Sequence, residues 1–152
     1  MPGEFRFVVN WSKPQYYVKE ARFGAIDLLT QPLQFTGREQ STLEILMSPN
    51  VASIEGLVTD RFAPAKGAQV VLVPDHARHR IELFKFTMTD QNGRFAIRNL
   101  APGDYHLYAW EAIDPYSWFD PEVTKRYEQV ALPVHLTESV RQTLALQLIP
   151  AP

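Results

Sequence analysis

Leu100-Ala101-Pro102-Gly103-Asp104-Tyr105-His106-Leu107-Tyr108-Ala109-Trp110 is the stretch whose reading decides the fold. A proline and a glycine turn the chain, and the run that follows reads as a strand through Trp110. A Tyr just past such a turn suits a tyrosine corner, in which the phenolic hydroxyl returns to upstream backbone and fixes a Greek-key crossover. Pro102, Gly103 and Tyr105 are therefore given structural roles. Alternation places Tyr105, Leu107 and Ala109 on one face and His106, Tyr108 and Trp110 on the other. If Tyr105 points inward, Tyr108 and Trp110 point out.

Upstream, the same kind of reading gives strands over Ser53–Thr59 and Ala68–Pro74, separated by a turn-rich loop from Asp60 to Gly67. Phe84–Thr89 and Arg94–Arg98 flank Asp90-Gln91-Asn92-Gly93, where Asn92 and Gly93 are expected to supply the positive φ values of a tight hairpin. Downstream, Glu128–His135 and Arg141–Ile149 complete about seven strands, enough for a two-sheet sandwich.

The deciding stretch also has an echo. Pro2-Gly3-Glu4-Phe5-Arg6-Phe7-Val8-Val9-Asn10-Trp11 resembles Pro102 to Glu111 in character, and Thr42-Leu43-Glu44-Ile45-Leu46-Met47-Ser48-Pro49 resembles Thr143 to Pro150. The spacing between the two anchors is nearly conserved. Residues 1–50 thus read as the C-terminal half of one β-sandwich repeat, and residues 51–152 as a complete unit. In the half-unit, strands are expected over Glu4–Asn10, Tyr16–Arg22, Leu33–Phe35 and Leu43–Met47, and Phe5 stands where the corner has Tyr105. Half a sandwich leaves an apolar face and strand edges open, to be completed either by the rest of the chain or by another molecule.

Taken together and in order, Ile54-Glu55-Gly56-Leu57-Val58-Thr59-Asp60, Gly67-Ala68-Gln69-Val70-Val71-Leu72, Thr89-Asp90-Gln91-Asn92-Gly93-Arg94-Phe95 and Leu100 to Tyr105 resemble the carboxypeptidase regulatory-like domain. The resemblance covers roughly residues 51–150. It implies an all-β, Greek-key fold of immunoglobulin-like or transthyretin-like type, export, and a role in stability, spacing or adhesion within tandem arrays. It supplies no catalytic residues.

Bulk composition narrows the functions further. Fifteen Lys and Arg against seventeen Asp and Glu give a net charge of -2 with no block of one sign, so nucleic-acid binding has no electrostatic footprint. No cysteine is present, which removes disulfides and thiolate chemistry. No run is long enough to span a bilayer as a helix, and Met1 to Glu4 does not read as a signal peptide, so export would place the signal outside this chain.

Candidate chemistry is sparse. No Gly-x-Ser-x-Gly elbow, phosphate loop or His-Glu-x-x-His is present, and the chain reads as no enzyme, with no cofactor. Asp75-His76-Ala77-Arg78-His79 brings two imidazoles and a carboxylate together, but Arg78 and Arg80 oppose a cation, and no metal is assigned there. Asp90 to Gly93 lacks the terminal carboxylate of a calcium loop and reads as turn chemistry. The aromatics Tyr108, Trp110, Tyr116, Trp118 and Phe119 form the candidate interface or sugar-binding site, against the plainer reading of a satellite cluster beneath a long loop.

The expectation is a non-catalytic extracellular structural or interaction module. It would self-assemble by strand complementation of its incomplete first half into a fibre or array, its partners being further copies or neighbouring repeats. The alternative is a carbohydrate-binding module.

Overall fold

In the computed structural model, described over residues 3–35, 37 and 40–152, the chain is all-β apart from one short helix and three 3-10 turns. Pro2, the first residue of the repeated motif, lies outside the described residues. The complete unit is a two-sheet sandwich. Its strands are β6 (Ala52–Asp60), β7 (Ala63–Pro64), β8 (Gln69–Pro74), β9 (Lys85–Met88), β10 (Arg94–Leu100), β11 (Gly103–Trp110), β12 (Leu132–Leu136) and β13 (Arg141–Gln147). The half-unit before it holds β1 (Gly3–Phe5), β2 (Tyr17–Phe23), β3 (Ile26–Asp27), β4 (Leu33–Phe35) and β5 (Leu43–Ser48).

One sheet of the sandwich runs β10-β6-β13, with β7 folded onto β6, and the other runs β12-β11-β8-β9. β6 and β13 are parallel, whereas the other pairs are antiparallel. In β6 the alternation is clean: Ala52, Ile54, Gly56 and Val58 are buried, while Ser53, Glu55 and Leu57 are less so. β8 is different, because every residue from Val70 to Pro74 is buried. Its Val70 and Leu72 enter the core between the sheets, and its Val71 and Val73 enter a second cluster on the outer face. A strand covered on both faces has no polar side to show, which is why Val70 to Val73 read as a continuous apolar run.

The Asn-Gly turn does not make a hairpin. β9 pairs with β8 and β10 pairs with β6, so the turn carries the chain from one sheet to the other. Asn92 is not among the residues with positive φ, and Gly93 alone takes the left-handed conformation, at φ 75. The Gly93 N–H donates to the Asp90 carbonyl at 3.0 Å, and the Asp90 carboxylate accepts from the Asn92 and Arg94 N–H groups at 2.8 and 3.0 Å. These bonds hold the Asp90 carboxyl below its usual range. The turn is thus a type I turn with a glycine after it, which leaves the flanking strands free to diverge.

Two further expectations shift. Glu128–Val130 is a 3-10 turn, and the strand begins only at Leu132, where Pro133 sits on an outer strand that loses nothing by lacking an N–H. β13 ends at Gln147. Ile149 then crosses to the other sheet, donating to Ala109 at 2.7 Å and accepting from Glu111 at 2.9 Å.

Candidate functional site

Two strand pairs run in matching registers. β1 meets β4 in the register Gly3↔Phe35, Glu4↔Gln34, Phe5↔Leu33, and β11 meets β12 in the register Gly103↔Leu136, Asp104↔His135, Tyr105↔Val134. Gly3 becomes Gly103 and Phe35 becomes Leu136, so the first strand shifts by 100 and the second by 101. Even the cross-strand side-chain pair recurs: Gln34 Nε2 donates to Glu4 at 2.8 Å, and His135 Nδ1 lies 2.6 Å from Asp104.

The difference between the copies lies in what is missing. In the complete unit, Tyr105 to Trp110 also pair with β8, and the last part of β11 has no other antiparallel partner. The half-unit has no counterpart of β8. Its strand accordingly stops at Phe5 instead of reaching Asn10, although Phe7, Val9 and Trp11 still pack in alternation against a small cluster of Val18, Ala21 and Leu28. The second gap is filled from within. β13 pairs with β6, but its counterpart β5 pairs with β2, drawn from the segment that in the complete unit is a helical loop. The half-unit therefore makes a three-stranded sheet, β3-β2-β5, in which β5 is an outer strand.

β5 is poorly covered. Leu43, Ile45 and Leu46 are 44, 40 and 50 % exposed on a strand with one unpaired edge, which is the feature that soluble proteins usually blunt with charge or proline. β9 is the outer strand of its own sheet and exposes Phe86 and Met88 to 48 and 52 %. Phe62 is 98 % exposed at the tip of the β6–β7 turn, with φ 74. Its sequence context marks only a turn-rich loop, because nothing in a lone Phe distinguishes a tip from a core residue.

The aromatic candidates divide. Tyr108 and Trp110 do face away from the main core, but they are not exposed: with Trp118 they are buried in the second cluster, stacked at 4.7 Å and 7° and covered by the loop from Glu111 to Ala131. Alternation fixes the face a side chain takes and not what covers that face. Tyr116 and Phe119 remain outside, 72 and 38 % exposed, and Phe86 stacks on the Trp118 ring at 5.3 Å. Arg78 anchors this loop, donating to the Trp118 and Phe119 carbonyls at 3.2 and 3.3 Å. The Asp75 carboxylate lies 2.5 Å from His106 Nδ1, across to β11.

Tyr105 sits where the sandwich meets the half-unit. Its hydroxyl donates to the Ala101 carbonyl at 2.7 Å, the geometry of a tyrosine corner, and burial pushes its pKa up to about 12. Beside it lies a cleft of about 290 Å³ with Trp11 and Tyr16 on one wall and Lys85, Arg98 and Asn99 on the other. A second contact joins the halves at Glu138. Its carboxylate accepts from Tyr17 at 2.8 Å and from Asn50 at 2.9 Å, and pairs with Lys19 at 2.8 Å. Among the described residues no cluster of three or more His, Asp or Glu is arranged to hold a metal, and no helix is long and apolar enough to cross a membrane.

No protein-family profile matches the chain, and no curated protein is recognisably similar to it. Solved structures share part of its shape. A minor pilin of Streptococcus agalactiae aligns over 80 % of this chain and 60 % of its own, at 18 % identity and TM-score 0.45. A proposed carbohydrate-binding protein of Pseudomonas aeruginosa aligns over 64 % and 88 %, at 16 % and 0.44. A DUF3823 family protein of Parabacteroides merdae aligns over 64 % of this chain, which spans 45 % of that protein, at 16 % and 0.43. Values of this size carry neither a family nor a function, and it is the strand pairing described above that makes the chain an all-β sandwich with further short strands before it.

Proposed function

We propose that this chain is a non-catalytic extracellular structural and interaction module of carboxypeptidase regulatory-like type. In this reading it joins further copies, or neighbouring repeats, by adding a strand to its half-unit. The observation that carries it is β5, an outer strand whose free edge is flanked by the exposed Leu43, Ile45 and Leu46. An unpaired row of N–H and C=O groups beside apolar side chains is a template for strand addition. The partner strand is β9 of the next copy, whose own edge is free and carries Phe86 and Met88. Two different edges make a heterologous contact, which need not close and so builds an array.

Light scattering across a concentration series tests this. The unaltered chain should grow in mass with concentration, while Leu46→Lys and Met88→Lys, both at exposed sites, should each stay monomeric with unchanged circular dichroism. Mixed together, the two variants should form a dimer and stop, because each retains one competent edge. A chain that stays monomeric at every concentration sinks the reading. A mixture that never dimerises removes β9 as the partner.

A further inference from the structure

The cleft beside Tyr105 has the build of a ligand site. Its volume of about 290 Å³ is at the small end for a binding pocket, and it lies between the half-unit and the complete unit, where such pockets are commonly found. One wall is aromatic. Trp11 is held in place by its ring N–H, which donates to the Tyr16 carbonyl at 3.1 Å, and both residues are half-buried.

The other wall is cationic. Arg80 is already bound to Glu82 at 2.9 Å, but Lys85 and Arg98 have no carboxylate partner among the described residues. Lys85 is half-buried, and that burial pushes its pKa down, with Glu82 opposing the shift. A half-buried ammonium with no carboxylate partner is stabilised by an anion that comes up to it. The backbone at this wall is also unusual. Asn99 takes φ 61 where the register of β10 against β6 shifts between Ile97 and Leu100, and irregularities of this kind serve to re-aim side chains at sites.

Trp11 and Tyr16 together with two cations that lack a carboxylate partner, and Asn10 and Asn99 also lining the space, match a ring that bears both hydroxyls and a carboxylate. We propose that this cleft binds an acidic saccharide, a uronate unit, with its carboxylate on Lys85 and Arg98 and its ring against Trp11. The same charge and aromatic surface would also attract a plain aromatic carboxylate, so the probes must separate the two.

Titration calorimetry and tryptophan emission would be followed with oligogalacturonate, with the neutral galactose oligomer of the same length, and with benzoate. Oligogalacturonate should bind and change the emission, and the neutral oligomer should bind at least tenfold more weakly. Arg98→Gln, at an exposed position, should weaken oligogalacturonate binding by about tenfold while leaving the melting temperature unchanged, and Lys85→Gln should do the same. Equal affinity for the charged and neutral oligomers overturns the proposal, as does an Arg98→Gln variant that binds like the parent. Benzoate binding without oligogalacturonate binding overturns the saccharide assignment. Lys85 opens β9 and Phe86 of the same strand stacks on Trp118, so the titrations are run on Leu46→Lys, which lies outside the cleft and should stay monomeric, and the cleft and the strand edge then stand or fall separately.

Discussion

Phe62 is a residue whose backbone and exposure both count against its own stability. A bulky side chain at φ 74 is strained, and at 98 % exposure it gains nothing from packing. Replacing it with Asn, which tolerates this conformation, should stabilise the isolated chain by up to about 1 kcal/mol in urea unfolding. A loss of stability would mean that Phe62 makes a contact within the fold. Tyr105 is the opposite case. Tyr105→Phe removes the bond to Ala101 and should cost about 1 kcal/mol. Its ionisation can be followed as well. Because the folded pKa is raised from 10.0 to about 12, the neutral ring's contribution is complete below pH 10 and is lost as pH climbs toward 12. The parent's melting temperature should fall over that window more steeply than that of Tyr105→Phe.

At the scale of elements, the sandwich unit was legible because local patterns sufficed. Strand β8 announced itself as an apolar run, and the Asp-Gln-Asn-Gly sequence announced a turn. What could not be read was pairing, since a turn fixes a reversal of direction without saying whether its two strands share a sheet. Here Gly93 decides the matter. A Cβ added to it would lie 2.7 Å from the Val58 carbonyl and 3.0 Å from the Ala65 nitrogen, so the glycine lets the crossing chain press against β6 and the end of β7. Gly93→Ala meets both that clash and a left-handed backbone, and should destabilise by about 1–3 kcal/mol in denaturant unfolding. A neutral result would mean that the turn moves freely away from β6. The candidate site was less legible than the strands. The sequence supplied the aromatics Tyr108, Trp110 and Trp118, but burial beneath the loop is a long-range fact, and the exposed apolar edge of β5 follows from which strand β2 chooses. The shortened β1 shows the same dependence, because Arg6 to Asn10 carry a strand-like pattern and lack only a neighbour.

For the whole molecule, the seam between half-unit and sandwich holds two groups that acid will disturb. The Lys19, Asn50 and Tyr17 bonds draw the Glu138 carboxyl from 4.5 down to about 2. Burial, with the Arg6 and Arg80 charges, pushes His79 below 6.5. Both folded values are depressed. The stability they contribute is therefore present above the unfolded pKa and is lost as pH falls, first below 6.5 for His79 and then from 4.5 toward 2 for Glu138. Among the described residues the half-unit has a buried cluster of Val18, Ala21 and Leu28, against sixteen buried residues in the main core, so it has little of its own to hold it once the seam loosens. Acid should thus release the first fifty residues before the sandwich opens. Brief pepsin digestion at pH 3 should cut between Phe5 and Met47 while leaving a fragment that starts near Val51. Glu138→Gln, which keeps the size but loses the charge that Lys19 and the two donors share, should allow the same region to exchange its amide hydrogens faster already at pH 7. Simultaneous cleavage throughout both parts, or a half-unit as protected at pH 3 as at pH 7, would show that Glu138 and His79 do not hold the two together and that the half-unit is docked by its apolar face alone.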